Sequence, residues 1–352
     1  MTLIHAADLH LDSPFGGFSE EARSCLKKAQ ASIPQRIADC CRSQGADLLL
    51  LAGDVFDGPY RRETAKALAQ TLEECAVPVF IAPGNHDFFG PDSPWEREVW
   101  PSNVHIFRGG LSYVDLPELE TRVYGGGYTA MDCPGLLEGF RAEQAFPHTI
   151  GVLHGDATLA KSPYCPITTA QLAASGLDYL ALGHIHQAGS LHGGATLCAW
   201  PGCPMGRGWD ETGSKGILKV TLEPSPRLTP IQLGLPRFYS ETVSAEEPEK
   251  LDALLPAAAG EDFYRITLTG NGTVSVPALL ETYARFPHLE FRDRTQPKQD
   301  LWSRAGQDSF QGVFFRLLSQ AKQEADPEEQ ERIDLAAELS RKILDGEEVE
   351  LP

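Results

Sequence analysis

An α/β sandwich with two facing sheets, followed by a smaller α/β unit, is the fold that this sequence predicts. Short runs that are apolar on both faces alternate with amphipathic helical stretches through the first part of the chain. Strands of that kind belong between helical layers. A second series of strands follows the first, and 352 residues exceed the length at which one hydrophobic core usually stops growing, so something smaller should be attached.

In order, residues 2–7 are apolar and β-prone, and residues 32–43 have helical periodicity after a break at Pro34. Residues 47–52 (DLLLLA) read as a short buried strand, 62–75 as an amphipathic helix and 77–82 as a strand. Further strands are expected at 121–124, 149–153, 179–182, 195–199 and 217–222. The Pro-rich stretch from Pro224 through Pro226 and Pro230 to Pro236 reads as an outgoing strand and linker. Beyond it the chain starts again with strands at 238–243, 263–269 and 289–294 and helices at 248–255 and 277–286. Near the end, Asp326 can cap a helix with Pro327 at its first position, Glu328 and Glu329 in its first turn and Gly346 after it. The expected domains are therefore 1–235, a small α/β cap at 236–325 and a C-terminal helical segment at 326–352.

Five short segments fall just past predicted strand ends, where open α/β sheets collect ligands. They carry Asp8 and His10, Asp54, Asn85, His154, and His184 with His186. Carboxylate, imidazole and amide oxygen suit divalent ions such as Mn²⁺, Fe²⁺ and Zn²⁺, and no thiolate competes among them. Gly53, Gly84 and Gly183 each precede a candidate ligand, where a residue without Cβ lets the backbone turn sharply. Any one of these segments is ordinary, a strand end with a nearby acid or histidine; all five segments in this order form a two-metal hydrolase signature. Asp57 and His86 follow Asp54 and Asn85 closely enough to face the same cavity. His86 is then the expected proton donor and Asp57 its orienter, with helix capping the alternative role for Asp57.

The net charge of −19 argues against a generally basic nucleic-acid surface. Two ions with two carboxylates and one hydroxide would still leave the site at about +1, able to hold a phosphate. The eight cysteines show no Cys-x-x-Cys spacing, so neither disulfides nor a cysteine metal site is expected. The first strand runs directly into Asp8 and no apolar run is long enough for a bilayer, so the expectation is a cytoplasmic protein with no membrane segment.

The ordered set Asp-x-His, Gly-Asp-x-x-Asp, Gly-Asn-His-Asp, His and Gly-His-x-His resembles the calcineurin-like metallophosphoesterases. Residues 5–15 (HAADLHLDSPF), 179–186 (YLALGHIH) and 211–216 (ETGSKG) are similar to the bacterial YhaO-type branch of SbcD-like DNA repair exonucleases. The resemblance covers residues 1 to about 235. It implies a four-layer α/β/β/α sandwich, with Asp8, His10, Asp54 and His186 on one ion and Asp54, Asn85, His154 and His184 on the other. It further implies Mn²⁺, contact of His86 with the scissile phosphate, and a DNA substrate. The partners it suggests are a coiled-coil SMC-like ATPase, attached through C-terminal helices, and a second copy of the chain in a homodimer. Archaeal and eukaryotic relatives have histidine at the Asp57 position, so a role taken from that form does not transfer.

Two-metal activation of a water for in-line attack needs no covalent intermediate, and no Ser or Cys beside a base suggests one. Arg61, Arg62, Lys161 and Arg207 are the candidate phosphate contacts, and Phe88, Phe89, Tyr164 and Trp209 the candidate stacking surfaces. Taken singly, each is an ordinary solvated cation or packed aromatic; a cluster in space would distinguish it. The expected activity is DNA exonuclease or endonuclease cleavage. A phosphatase or nucleotide phosphodiesterase, and an interaction subunit with a mainly structural metal site, are the alternatives.

Overall fold

The computed structural model describes all residues except 224, 257–259, 297–300 and 347–352. The chain divides into two compact units, Met1–Ser240 with Ala258–Arg265 and Arg285–Leu289, and Glu241–Ala257 with Ile266–Ala284 and Glu290–Pro352.

The first unit begins β1 (Thr2–Ala6), α1 (Glu20–Ala31), α2 (Ile33–Gln44), β2 (Leu48–Leu51), α3 (Arg62–Glu74), β3 (Val79–Ile81), α4 (Pro94–Arg97) and β4 (Val104–Ile106). Next come β5 (Ser112–Leu116), β6 (Thr121–Gly125), β7 (His148–His154), α5 (Thr169–Ser175), β8 (Tyr179–Gly183), β9 (Gly189–Gly193) and β10 (Thr196–Trp200), then β11 (Ile217–Thr221) and β12 (Arg227–Ile231). One six-stranded sheet has the order β12-β11-β1-β2-β3-β4 and the other β5-β6-β7-β8-β10-β9. Strands β1 to β4 are parallel, as are β6, β7, β8 and β10, with antiparallel strands at the margins.

The period of two along a strand sorts the core into layers. In β2, Leu48 and Leu50 join Leu3, Phe80, Val123, Ile150, Val152 and Ala181 between the sheets. Leu49 and Leu51 turn the other way and pack with Leu26 of α1, Ile37 of α2 and Leu68 of α3. Outside the second sheet, Leu153, Leu180 and Leu182 pack with Leu172 of α5. Helices, sheet, sheet and helix thus form four layers. His5 is a polar residue between the sheets: Nδ1 meets Tyr179 Oη at 2.8 Å and Nε2 meets the Leu182 carbonyl at 3.1 Å, joining β1 to β8.

The remaining elements are β13 (Phe238–Ser244), α6 (Glu249–Leu254), β14 (Phe263–Thr269), α7 (Val276–Thr282), β15 (Leu289–Asp293), α8 (Phe310–Glu324) and α9 (Pro327–Leu344). The strands form a three-stranded sheet in that order. The helix expected to reach 286 ends at Thr282, where Tyr283 leaves helical geometry and its hydroxyl binds Asp252 at 2.9 Å. In α9 the Asp326 side chain accepts from the Glu329 N–H at 3.0 Å, giving the expected cap. The face that packs carries Ile333 and Ala337, while Leu335, Ile343 and Leu344 are exposed.

Candidate functional site

Asp8 and His10 follow β1, Asp54 follows β2, Asn85 follows β3, His154 ends β7, and His184 with His186 follow β8. All five strand ends point to the same edge of the two sheets, so side chains far apart in sequence converge. The turns are tight. Asp8, His10, Asp54 and His184 all have positive φ, at 53°, 45°, 48° and 98°. Such backbone persists in non-glycine residues where the surroundings impose it, often at functional sites. Gly84 is required by contact: a Cβ there would strike the Asp54 carboxylate, and its distance to the Asp54 backbone nitrogen would be 2.7 Å.

Three imidazoles share one arrangement. His10 Nδ1 lies 3.2 Å from Asp57 Oδ1, His186 Nδ1 lies 2.6 Å from Glu211 Oε1, and His154 Nδ1 lies 2.9 Å from the Ala52 carbonyl. Each partner can only accept, so each Nδ1 carries the proton and each Nε2 presents a lone pair inward. His10 Nε2 and His186 Nε2 then face each other at 3.1 Å. His154 Nε2 faces Asn85 Oδ1 at 3.0 Å and Asp54 Oδ2 at 3.3 Å. Lone pairs and carboxylate oxygens directed at one another repel unless a cation lies among them, and the donor set is one that divalent metals accept. Ligand atoms of Asp8, His10 and His186 lie within 4.8 Å of one another, as do those of Asp8, Asp54 and His154, and of His10, Asp54 and His86.

The titration of the buried groups agrees with a site that favours positive charge. Burial alone would lower the His154 pKa, but the Asp54 and Asp8 carboxylates outweigh it and lift the value to about 9, so a proton occupies Nε2 unless a metal takes its lone pair. Burial raises Asp8. Burial also opposes ionisation of Asp54, yet His154, His10 and the His86 N–H hold its carboxyl well below the usual range. His184 contributes differently. Burial and the neighbouring His154 pull it down to about 4; its backbone N–H donates to both Asp8 oxygens at 3.0 and 3.1 Å, and Tyr164 covers its ring at 4.7 Å.

Asp57 does not cap α3. Asp12 holds that helix start, accepting from the Arg61 N–H and from Thr64 Oγ1, each at 2.8 Å. Asp57 instead receives His86 Nδ1 at 3.0 Å, His10 Nδ1 at 3.2 Å and Ser13 Oγ at 2.7 Å, with Arg207 Nη1 at 3.4 Å. The hydrogen bond to Asp57 raises the His86 pKa, and the His86 side chain, 41% exposed, stands where substrate can reach it. Of the three arginines singled out in sequence, Arg207 is among the site residues, bonded to Asp57 and Glu211. Arg61 and Arg62 lie in salt bridges with Asp12 and Glu98. Phe89 lies under Arg108 and Trp209 under Arg265, whereas Phe88 is half-exposed beside His86.

Three contributors escaped sequence reasoning. Glu211 fixes His186. Ser13 braces Asp57. Asp87 pins the Gly84–His86 turn by accepting the Val55, Phe56 and Gly84 N–H groups at 2.7, 3.2 and 2.7 Å. Asp87 was visible inside Gly-Asn-His-Asp, but Glu211 lies 25 residues from its partner, beyond any local spacing rule.

The family described as calcineurin-like phosphoesterase matches residues 1–188, more than half of the chain. The chain belongs to that family. Calcineurin-like phosphoesterases hydrolyse phosphoesters at a dinuclear metal site, and the clusters above are this member's candidate ligands. The chain is 36% identical over 233 residues to the uncharacterized metallophosphoesterase YhaO of Bacillus subtilis (strain 168), covering 61% of this chain and 56% of that protein. It is 30% identical over 92 residues to the SbcD component of the SbcCD nuclease of Staphylococcus saprophyticus, covering 25% and 23%. The chain thus spans little more than half the length of the first of these relatives and about a quarter of the second. A dimetal phosphatase structure from Danio rerio aligns with a TM-score of 0.45 and 14% identity over 64% of this chain and 93% of that one.

Proposed function

We propose that the protein is a metal-dependent phosphodiesterase of the SbcD-like nuclease type, cleaving DNA ends or single strands. The observation that carries this reading is His86, accessible and bonded to Asp57 at 3.0 Å, standing beside a buried cage of inward-facing donors. Asp8, His10, Asp54 and His186 would hold one ion and Asp54, Asn85, His154 and His184 the other, with Mn²⁺ as the expected metal and Fe²⁺ or Zn²⁺ as substitutes. Two ions so placed supply an activated water and neutralise charge on the phosphoryl oxygens.

The chain's own residues do the rest. Asp57 fixes the His86 tautomer, so Nδ1 is committed and Nε2–H of the imidazolium is free to protonate the departing oxygen. Glu211 and Asp57 hold His186 and His10 in register, and Arg207 ties the two carboxylates together. A coiled-coil ATPase partner, supported by the likeness to the SbcD component, belongs to the same proposal, as does a cytoplasmic location. No helix among the described residues is long and apolar enough to cross a membrane.

Protein stripped of metal and reloaded with Mn²⁺ should cleave end-labelled single- or double-stranded DNA, and His86→Gln should abolish that cleavage. Hydrolysis of bis-p-nitrophenyl phosphate without any DNA cleavage would defeat the nuclease assignment. It would favour the second reading, a nucleotide phosphodiesterase or phosphatase, for which the net charge of −19 already speaks.

A further inference from the structure

We propose that a pocket beside His86 receives the nucleobase of the nucleoside that departs during hydrolysis, a substrate assignment that rests on the phosphodiesterase reading above. The pocket has a volume of about 340 Å³ and is walled by Tyr60, His86 and Phe88 with Pro59, Pro91 and Pro94. That volume lies at the lower end of the range for small-molecule sites, suited to one planar ring system with part of its sugar.

Its chemistry selects against phosphate. No lysine or arginine lines it. Of its carboxylates, Asp87 is turned onto the Val55, Phe56 and Gly84 N–H groups, and Asp92 is paired with Arg97. Two aromatic rings and three prolines remain as the contact surface, an environment in which a base can stack and a phosphate would lose hydration without gaining a counterion. The walls are also held in place before any ligand arrives. The Tyr60 hydroxyl donates to Glu98 at 3.2 Å, the Phe89 N–H donates to the Tyr128 carbonyl at 2.7 Å, and Ser93 closes the Gly90 turn through its hydroxyl at 2.8 Å.

Position fixes which nucleoside is bound. His86 is both a wall of the pocket and the proposed donor to the departing oxygen, so a group in the pocket is attached to that oxygen. Hydrolysis breaks the bond from phosphorus to that oxygen; water supplies the new oxygen on phosphorus, and the proton from His86 completes the free hydroxyl of the released nucleoside. The retained nucleotide stays on phosphorus through a different oxygen and makes no use of Tyr60 or Phe88.

The test uses the full-length protein loaded with Mn²⁺ and three dinucleoside phosphates: thymidylyl-thymidine and its two analogues with a tetrahydrofuran abasic sugar on one side or the other. Removing the base from the departing nucleoside should lower kcat/KM about five- to hundredfold, the span of one base stack. Removing it from the retained nucleoside should have little effect. Phe88→Ala should erase the difference between base and abasic substrates, and Phe88→Trp should keep it. Phe88→Leu, which preserves apolar volume without a stacking face, should also reduce it and guards against a folding defect in the alanine variant.

Equal hydrolysis of all three substrates, or a preference that survives Phe88→Ala, overturns the pocket assignment and leaves the phosphodiesterase reading intact. A preference governed by the retained base overturns it as well. Turnover of p-nitrophenyl phosphate with no cleavage of any dinucleoside phosphate would remove the phosphodiesterase reading, and the pocket assignment with it.

Discussion

Asp57 accepts from four side chains, so a change there should register in two ways. Its bond holds the His86 pKa above the ordinary histidine value. A donor must be protonated, so activity should fall as pH rises through that elevated value. In Asp57→Asn the negative charge is gone, and the alkaline limb of kcat/KM should move to lower pH, toward about 6.5. An unmoved limb would remove His86 from the role of donor. Glu211 should act on the same cage through His186. Glu211→Gln keeps the shape but weakens the bond fixing His186, and loss of such an outer partner typically costs about 10- to 100-fold in metal affinity. Calorimetric titration of the stripped variant with Mn²⁺ should show one of two binding steps weakened; unchanged affinities would make Glu211 a packing residue. The candidate ligand positions themselves were legible in sequence because each follows a glycine or a strand end. Glu211 and Ser13 were not, because what selects them is a distance across the fold.

At the level of elements, strands buried on both faces were the easiest to read: the run at 47–52 contains β2 and that at 179–182 contains most of β8. Helix α1 was missed because only Ala22, Leu26 and Gln30 are buried along it, too sparse an apolar stripe to stand out. Helix α8 was missed for the opposite reason, since Phe310, Val313 and Leu317 are apolar yet exposed and blur its periodicity. In β12, Pro230 argues against a central strand, and the strand indeed lies at the edge of its sheet, where a missing N–H is tolerated. The contact between β1 and β8 through His5 should make the fold acid-sensitive. Burial lowers the His5 pKa to about 3, so the unfolded chain binds a proton that the folded chain refuses. Stability from this group is therefore full above about pH 6.5 and declines as pH falls toward 3. Urea midpoints measured at pH 7 and pH 5 should differ more for the native protein than for His5→Leu. That variant should also be less stable at pH 7 by about 1–3 kcal/mol, because Tyr179 loses its partner. Equal pH slopes would contradict the account.

For the whole molecule, the sandwich was readable from the alternation of strands and helices, whereas the role of the last helices was not. Along α9, Leu335 and Ile343 are exposed, while Ile333 and Ala337 pack. If that exposed face serves a partner, deletion of 326–352 should preserve hydrolysis of a small ester and weaken partner capture. Loss of folding in the deletion would show that the segment serves the protein's own packing.

The candidate ligands come from residue 8 through residue 186 and from both sheets, four on the first and three on the second. Neither sheet alone can therefore assemble the pair of sites, and the cage exists only when the two sheets are packed together at this end. Metal content becomes a gauge of intact tertiary structure: during urea titration, release of both ions should coincide with loss of the sandwich, and chelation should lower the melting temperature by simple mass action. A fragment ending before β7 would have Asp8, His10, Asp54 and Asn85 but nothing to close them, so on this assignment a working enzyme cannot be pared down to the half that holds most of its candidate ligands.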